Sequence, residues 1–343
     1  MAHFGVGVAH VAGEYAVRRS TSEGFIQAGA NRAHELGART LKLFLTPDFR
    51  QKYPQPWPGE IDSLAALADS APFQEVFALP FDTFVLSTYS FSMGTGDPWR
   101  AGPVPTLLAA EERELDALVT LLLSRYAGTG KTFVLQTWEG DWALLGAFDP
   151  HQVVPHERAE RMAQWLSARH TAIDAARRRE ARPGVSVFDA IELNRVLDTE
   201  QGLRVVTDVL PHSCADAVSY SAWEALDVSA LPAAQQAAAV EQRLETALTR
   251  IEAAAPAGAS IFLGEFGLAE NENTSELTTT LVERTLEVSR RHGVVGAVYW
   301  QMFDNECSAV GCRGLWVMRP DGSLGVAGSV LAAGWAVTDP ALP

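Results

Sequence analysis

The chain alternates short runs of β-branched and aromatic residues with longer segments whose apolar residues recur at helical spacing. The apolar runs predict eight strands, over residues 4–11, 40–45, 83–89, 132–137, 185–193, 217–221, 260–264 and 294–300. The segments between and after them predict helices over residues 21–36, 61–69, 109–126, 155–179, 233–254, 275–292 and 326–335. The fifth crossover is the weakest, because its helical segment, 201–209, is short.

Continuous apolar strands joined by helical crossovers are typical of a parallel sheet that helices cover on both faces. Eight successive units of this kind predict closure into a (β/α)₈ TIM barrel, and 343 residues suit that fold with insertions. Since no linker divides the pattern, we expect residues 1–343 to form a single domain.

The formal net charge of −15 disfavours nucleic acid and anionic membrane surfaces as partners, since both attract clustered Lys and Arg. The sequence has no apolar run near the roughly 20 residues of a membrane helix and no signal-peptide layout. We expect a cytoplasmic protein, or a secreted one whose signal peptide is already removed. The oligomeric state stays open.

The sequence has few motifs typical of metal sites or of disulfide frameworks. No His-x-His ends the first strand and no His-Glu-x-x-His occurs, so we expect neither a metal site nor a cofactor. Cys214 stands alone, whereas Cys307 and Cys312 share one loop. Whether those two form a disulfide is left open by the sequence.

Functional groups in such barrels collect at the C-terminal ends of the strands. The candidate site residues at or near these ends are His10, Lys42, Tyr89, Trp138, Glu139, Asn194, Tyr220, Glu265 and Trp300. Glu139 and Glu265 stand out, because each interrupts an apolar run, on strands four and seven. These strands lie on opposite sides of the barrel mouth, so the two carboxyl groups should face each other.

Two facing carboxyl groups suit cleavage of a glycosidic bond. One donates a proton to the departing oxygen while the other, ionised, attacks the sugar or stabilises its cation. Burial and mutual repulsion can separate the two pKa values enough for both roles. Aromatic residues near the strand ends, among them Trp138 and Trp300, favour a carbohydrate ligand, because sugar rings present C–H faces that pack on aromatic planes.

The motif Gly264-Glu265-Phe266-Gly267 resembles the nucleophile motif of the family 5 cellulases, and 298–300 resembles strand eight of clan A of the glycoside hydrolases. This resemblance implies a retaining mechanism, with Glu265 as nucleophile and Glu139 as general acid/base. It also implies that Trp300 floors the sugar subsite and that Tyr220 hydrogen-bonds the nucleophile.

The chain departs from the clan pattern at two positions. Trp138 stands where the clan usually has the Asn that binds the sugar 2-hydroxyl, and Lys42 stands where family 5 usually has Arg. The exact family and the sugar therefore stay open. The residues expected to bind substrate are His10, Lys42, Tyr89, Trp138, Asn194, Tyr220 and Trp300.

Three alternatives remain at this level. Asp141 or Glu192 could share the role given to Glu139. The barrel could bind carbohydrate without cleaving it. It could also carry another chemistry, such as that of a metal hydrolase or of an aldolase that uses Lys42.

Overall fold

The computed structural model describes residue 1, residues 4–102 and residues 105–337. Eight parallel strands follow one another around a closed barrel, and the last pairs with the first. The strands are β1 Gly5–Ala9, β2 Thr40–Leu45, β3 Thr83–Thr88, β4 Lys131–Gln136, β5 Val185–Leu193, β6 Ala217–Ser221, β7 Ser260–Phe266 and β8 Gly296–Tyr299. The predicted (β/α)₈ TIM barrel is confirmed.

Helices surround the barrel, and seven of those in the described residues lie close to the predicted positions, while four others were not predicted. They are α1 Phe25–Glu35, α2 Phe49–Lys52, α3 Leu64–Ala68, α4 Ala71–Ala78, α5 Pro105–Arg125, α6 Gly140–Leu145, α7 His156–Arg179, α8 Trp223–Leu226, α9 Ala233–Ala254, α10 Ser275–Arg291 and α11 Val326–Val337. The fifth crossover holds two 3₁₀ turns, Thr199–Gln201 and Leu210–His212, and a π-helical turn, Val205–Val209, in place of an α-helix, which explains its weak sequence signal. None of the helices in the described part of the chain combines the length and apolarity that crossing a bilayer needs.

The barrel wall is buried on both faces, as continuous apolar strands require. Every residue of β2, β3 and β6 is buried. On the outer face, Phe77 of α4 packs edge-on against Phe84 of β3 and Phe133 of β4, with ring centroids 4.9 and 5.4 Å apart. Inside the wall, polar residues of several strands contact one another, among them Lys42, Gln136 and Glu192.

Strand β7 carries one extra residue near its C-terminal end. The pairs Leu263–Ala297 and Phe266–Tyr299 span three steps along β7 but two along β8. The register against β6 shifts at the same level. A bulge of this kind changes the direction of the side chains beside it, and here the affected residue is Glu265.

A small hairpin follows β8 at the barrel mouth. Its antiparallel strands are β9 Cys307–Ser308 and β10 Gly311–Cys312. The question that the sequence left open is answered by a disulfide between Cys307 and Cys312, with an S–S distance of 2.06 Å. Cys214 is a free, exposed cysteine.

Candidate active site

The side chains of Glu139 and Glu265 meet at the barrel mouth, and one serine lies between them. Ser221 Oγ, at the end of β6, lies 3.0 Å from Glu139 Oε1 and 3.3 Å from Glu265 Oε2. The two carboxyl oxygens are therefore no further apart than the sum of these distances. Because a hydroxyl has one hydrogen, it can donate to only one carboxylate, and it can accept from the other only if that group is protonated. The contact thus suits one ionised and one protonated carboxyl.

Glu139 has an unusual backbone conformation. Its φ of 37° and ψ of 63° place it in the left-handed region, which residues other than glycine rarely adopt. The backbone N–H of Glu139 donates to Glu192 Oε2 at 2.8 Å, and its carbonyl accepts the N–H of Trp142 at 3.0 Å, where α6 begins. Strained conformations that surrounding contacts hold in place concentrate at functional sites.

Three donors surround the carboxylate of Glu265. Lys42 Nζ donates to Oε1 at 2.9 Å, while Trp223 Nε1 and Ser221 Oγ lie 3.2 and 3.3 Å from Oε2. The glycine at 267 leaves room for this arrangement, since a Cβ there would lie 2.9 Å from the Trp223 ring. A nearby cation and hydrogen-bond donors stabilise the ionised form of a carboxyl group.

The environment of Glu139 has the opposite effect. Burial, then the negative charges of Glu265 and Glu192, hold the pKa of Glu139 well above its usual range, and the opposing effects of Ser221 and Lys42 are smaller. The surroundings of Glu139 therefore favour its protonated form, whereas Glu265 is surrounded by a cation and hydrogen-bond donors. This is the division that acid and nucleophile roles need.

Lys42 lies beneath the pair, inside the barrel, and is completely buried. Its ammonium donates to Glu265 Oε1, to Glu192 Oε1 at 3.1 Å and to the carbonyl of Gly264 at 3.1 Å. Burial acts to lower the pKa of Lys42, but the two carboxylates outweigh it and raise that pKa, so the ammonium stays charged. The prediction that Lys42 binds substrate hydroxyls is wrong for this structure, because its three hydrogens already have acceptors and it lines no cavity at the mouth.

Two other predicted contacts are also wrong. Tyr220 does not reach Glu265, because Ser219 and Ser221 point into the barrel and the alternation of a strand turns Tyr220 outward, where its hydroxyl donates to Glu224 at 3.3 Å. The hydrogen bond expected from this tyrosine is supplied instead by Ser221 and Trp223.

His10 belongs to the core between β1 and α1 rather than to the mouth. Its Nε2 lies 2.9 Å from the carbonyl oxygen of Phe25, whose ring stacks on the imidazole at 4.7 Å. A Cβ at Gly29 would lie 2.3 Å from the imidazole, so the two residues fit together. Burial lowers the pKa of His10 to about 4. The prediction that His10 binds substrate is therefore corrected.

Two cavities open on either side of Glu139. The first, about 510 Å³, contains Glu139, Glu265 and Trp300, and we name it the catalytic cavity. The second, about 370 Å³, lies over the ends of β2 to β4, and we name it the β2–β4 cavity. Trp138, Glu139 and Trp142 line both. Volumes of this size suit small-molecule ligands.

The remaining predicted site residues do line these cavities. Asn194 and Trp300 lie in the catalytic cavity, Tyr89 lies in the β2–β4 cavity, and Trp138 lies between them. The peptide bond between Trp300 and Gln301 is cis. The sequence thus located four lining residues, and Trp142, another aromatic residue near the end of the fourth strand, lines both cavities.

Asp141 and Glu192, the alternative acids, lie below the surface of the mouth. Asp141 is completely buried and accepts backbone N–H groups from Asn194, Arg195 and Val205 at 2.8–2.9 Å. It therefore joins the loops after β4 and β5. Glu192 is equally buried and, like Asp141, lines neither cavity. Neither can replace Glu139 at the mouth.

Within the described residues, two groups have the geometry to hold a metal ion, and neither includes Glu139 or Glu265. In one, Cys307 and Cys312 are already joined in the disulfide. The other, between β5 and α7, comprises His170, Asp189 and Asp216, and Arg177 already occupies Asp216 at 2.8 Å. We assign no metal to either group.

Comparisons with known proteins give the fold. Neither a family model nor a curated protein sequence matches the chain. Solved structures do: a broad-specificity endoglucanase of glycoside hydrolase family 5 from Clostridium acetobutylicum has 14% identity and a TM-score of 0.59, with 97% of this chain and 98% of that chain covered. A family 5 subfamily 18 protein from Bifidobacterium longum, solved with Manβ1-4GlcNAc, has 16% identity and a TM-score of 0.63, covering 99% and 80%.

A further subfamily 18 structure, from Streptomyces cattleya with GlcNAc, has 17% identity and a TM-score of 0.63, covering 99% and 82%. At such identities the shared property is the barrel, over nearly the whole length of this chain. The chain therefore has the (β/α)₈ fold that these family 5 structures also have.

Proposed function

We propose that the protein is a retaining glycoside hydrolase in which Glu265 is the nucleophile and Glu139 the general acid/base. The observation that carries this proposal is the shared contact of both carboxyl groups with Ser221 Oγ. It limits the gap between the nearest carboxyl oxygens to a value below the roughly 6.5–9.5 Å of inverting enzymes, which must fit a water between the groups.

The reaction would proceed in two steps. A carboxylate oxygen of Glu265 forms a bond to the anomeric carbon as the bond to the leaving oxygen breaks, and Glu139 gives its proton to that oxygen. Glu139, now ionised, takes a proton from water, whose oxygen attacks the same carbon and releases Glu265. The raised pKa of Glu139 favours the protonated form that the first step needs.

The substrate we propose is a β-linked carbohydrate. Trp300 would support the ring that Glu265 attacks, with Asn194 near its hydroxyls, since both line the catalytic cavity. Trp138 occupies the place of the usual 2-hydroxyl ligand, so that hydroxyl must be recognised by other groups or not at all. The structural neighbours named above suggest β-glucan and Manβ1-4GlcNAc as first substrates to assay.

The test is a screen of aryl β-glycosides, β-1,4-linked polysaccharides and Manβ1-4GlcNAc, followed by NMR of the first-formed anomer. We expect a β-configured product from a β-linked substrate. A first-formed α product would exclude retention. Absence of hydrolysis across the panel, together with measurable sugar binding, would support a non-catalytic carbohydrate-binding barrel. The aldolase alternative has little support, because Lys42 Nζ is buried among three acceptors.

The effect of Glu139→Ala should depend on the leaving group. Glycosides with poor leaving groups should lose about 10²–10⁴-fold in kcat, which is the usual contribution of general acid catalysis. Dinitrophenyl glycosides need no proton to depart, so their first step should stay fast and the glycosyl-enzyme should accumulate. A burst of dinitrophenol measured by stopped flow checks this.

Glu112→Ala, which changes an exposed glutamate on α5, is the matched control and should behave as wild type. Equal loss on good and poor leaving groups would argue against Glu139 as the proton donor.

The β2–β4 cavity would bind a second sugar ring. Its outer wall is Phe148, 76% exposed, with its ring centroid 5.8 Å from Trp142 and 6.5 Å from Trp138. Such an aromatic wall, continuous with Glu139, suits a sugar face. We expect Phe148→Ala to lower kcat/KM about tenfold for an oligosaccharide, as loss of about 1.4 kcal/mol of packing predicts.

Hydrolysis of an aryl monoglycoside should change little in the same variant, and steady-state kinetics on both substrates separate the effects. Val153→Ala, at another exposed apolar residue, is the control. An equal loss on both substrates would contradict a role in binding a second ring.

A further inference from the structure

Glu192 of β5 is a third carboxyl group inside the barrel, directly beneath the proposed catalytic pair. It is completely buried and lines neither cavity, so it has no direct contact with a substrate there. Keeping a charge in such a place costs several kcal/mol unless partners compensate it. The reaction proposed above gives Glu192 no task.

Four donors converge on this carboxylate. Oε1 accepts from Lys42 Nζ at 3.1 Å, Gln136 Nε2 at 2.9 Å and Ser219 Oγ at 3.0 Å. Oε2 accepts the backbone N–H of Glu139 at 2.8 Å. A charged ammonium and a backbone N–H can only donate, so both oxygens must act as acceptors. An ionised Glu192 satisfies all four.

The residues beside both catalytic glutamates leave space for Glu192. A Cβ at Gly140, which follows Glu139, would lie 2.5 Å from the Glu192 carbonyl oxygen. A Cβ at Gly264, which precedes Glu265, would lie 1.8 Å from Ser219 Oγ and 2.4 Å from Glu192 Oε1. Side chains at these two positions would clash with Glu192 and, at Gly264, with its donor Ser219 as well.

The hydrogen bonds of Glu192 belong to a closed ring of contacts. Glu192 holds the N–H of Glu139, whose left-handed backbone begins α6. Through Lys42, which bridges Glu192 Oε1 and Glu265 Oε1, the same carboxylate is connected to the nucleophile. Ser221 closes the ring at the barrel mouth, where it contacts both Glu265 and Glu139. A rigid support of this kind keeps reacting groups in position.

We propose that Glu192 is a positioning residue, a buried anion that holds the backbone of Glu139 in its working conformation and adds a negative charge near its carboxyl group. The role in catalysis rests on the function proposed above. The protonation of Glu139 does not, because it is a property of the protein without substrate.

The groups that act on Glu139 come from four strands: Lys42 on β2, Glu192 on β5, Ser221 on β6 and Glu265 on β7. Further out, the cavity walls carry Arg100 and Arg195, which are paired with Asp97 and Asp198. Without the negative charge of Glu192, the positive charge of Lys42 is offset by one carboxylate fewer. The pKa of Glu139 should therefore fall.

The experiment is a pH titration of the protonated-carboxyl band by infrared difference spectroscopy, without substrate. The signal of Glu139 is assigned by its loss in Glu139→Gln. In Glu192→Gln, we expect the midpoint to fall by at least about one pH unit, the usual effect of a charge within a few ångströms. The alkaline limb of the pH–activity profile should move by the same amount.

Two further variants separate charge from position. Glu192→Asp keeps the charge but shortens the side chain, so it cannot reach Lys42 and the Glu139 N–H together. Its midpoint should stay near the wild-type value while kcat falls about 10²-fold, the usual cost of a misplaced catalytic group. Ser219→Ala removes one donor to Glu192 without changing a charge, and should leave the midpoint in place.

An unmoved midpoint in folded Glu192→Gln overturns the proposal, and so does a wild-type kcat in Glu192→Asp. If Glu192→Gln does not fold, the kcat of Glu192→Asp decides alone. If the midpoint shifts in Glu192→Gln but the protein hydrolyses no glycoside, the effect of Glu192 on Glu139 is supported and the proposed reaction is rejected. Failure of the positioning role and failure of the proposed function therefore give different results.

Discussion

Replacing Glu265 with alanine is expected to lower kcat by about 10⁴-fold or more, since removal of a nucleophile commonly has effects of that size. The protein should remain folded, because Lys42 keeps Glu192 as its partner at 3.1 Å and no buried charge is left alone. Steady-state hydrolysis of the best aryl glycoside, with circular dichroism as the test of folding, measures both expectations.

Azide should restore part of the activity of Glu265→Ala, because the small anion fits the space that the carboxylate leaves. It would attack the anomeric carbon from the same face as Glu265, so a β-glycoside should give the α-glycosyl azide. Glu112→Ala serves again as the matched control, and Glu139→Ala should instead give the β-azide. Wild-type turnover in Glu265→Ala would remove the proposed nucleophile.

The barrel itself could be predicted because its signal is repeated. Continuous apolar runs, such as 40–45, indicate strands that are buried on both faces, and seven of the eight strand–helix units contain clear helical periodicity. Boundaries were less well determined. The helix predicted over 61–69 is shorter, Leu64–Ala68, and a second helix that was not predicted follows at Ala71–Ala78, with Pro72 near its start.

Predicting the strand ends did not predict which way each side chain points. The serines at 219 and 221 were a usable signal, since polar residues two apart on an otherwise buried strand share one face and place Tyr220 on the other. The direction of Glu265 depends on the bulge in β7, and a bulge cannot be read from periodicity.

Contacts between distant strands were beyond the sequence for a different reason. Lys42 and Glu192 are separated by 150 residues, and their pairing depends on a barrel register that sequence patterns do not specify. The sequence could indicate that each charge interrupts an apolar run. It could not show that the two charges neutralise each other beneath the site rather than meeting substrate.

Lys42→Met is expected to destabilise the fold by about 3–5 kcal/mol at neutral pH, the usual effect of removing one member of a buried ion pair. Methionine fills a similar volume, so the loss would come from charge. Glu192 would remain completely buried with no cation beside it, and Glu265 would lose its contact at 2.9 Å. Urea unfolding followed by fluorescence gives the free energy of unfolding.

The loss of stability in Lys42→Met should increase as the pH rises from acid to neutral. Burial already raises the pKa of Glu192, with Lys42 as the largest opposing influence, so loss of the cation raises it further. A carboxyl group whose folded pKa exceeds its unfolded value of about 4.3 destabilises the protein increasingly as pH rises between those two values. The difference between variant and wild type should therefore be smallest near pH 4 to 5 and largest at neutral pH.

Lys131→Met provides the control that isolates this effect. Lys131 is also a buried lysine at a strand, but its ammonium donates to the carbonyls of Leu79 and Phe81 rather than to carboxylates. Its removal leaves no buried anion, so the loss of stability should be smaller and less dependent on pH.

Adding Glu192→Gln to Lys42→Met should recover part of the lost stability, since the two residues are coupled. If both lysine variants lost the same free energy of unfolding at every pH, Lys42 would act only by filling space. The proposal that its charge supports the two glutamates at the mouth would then be wrong.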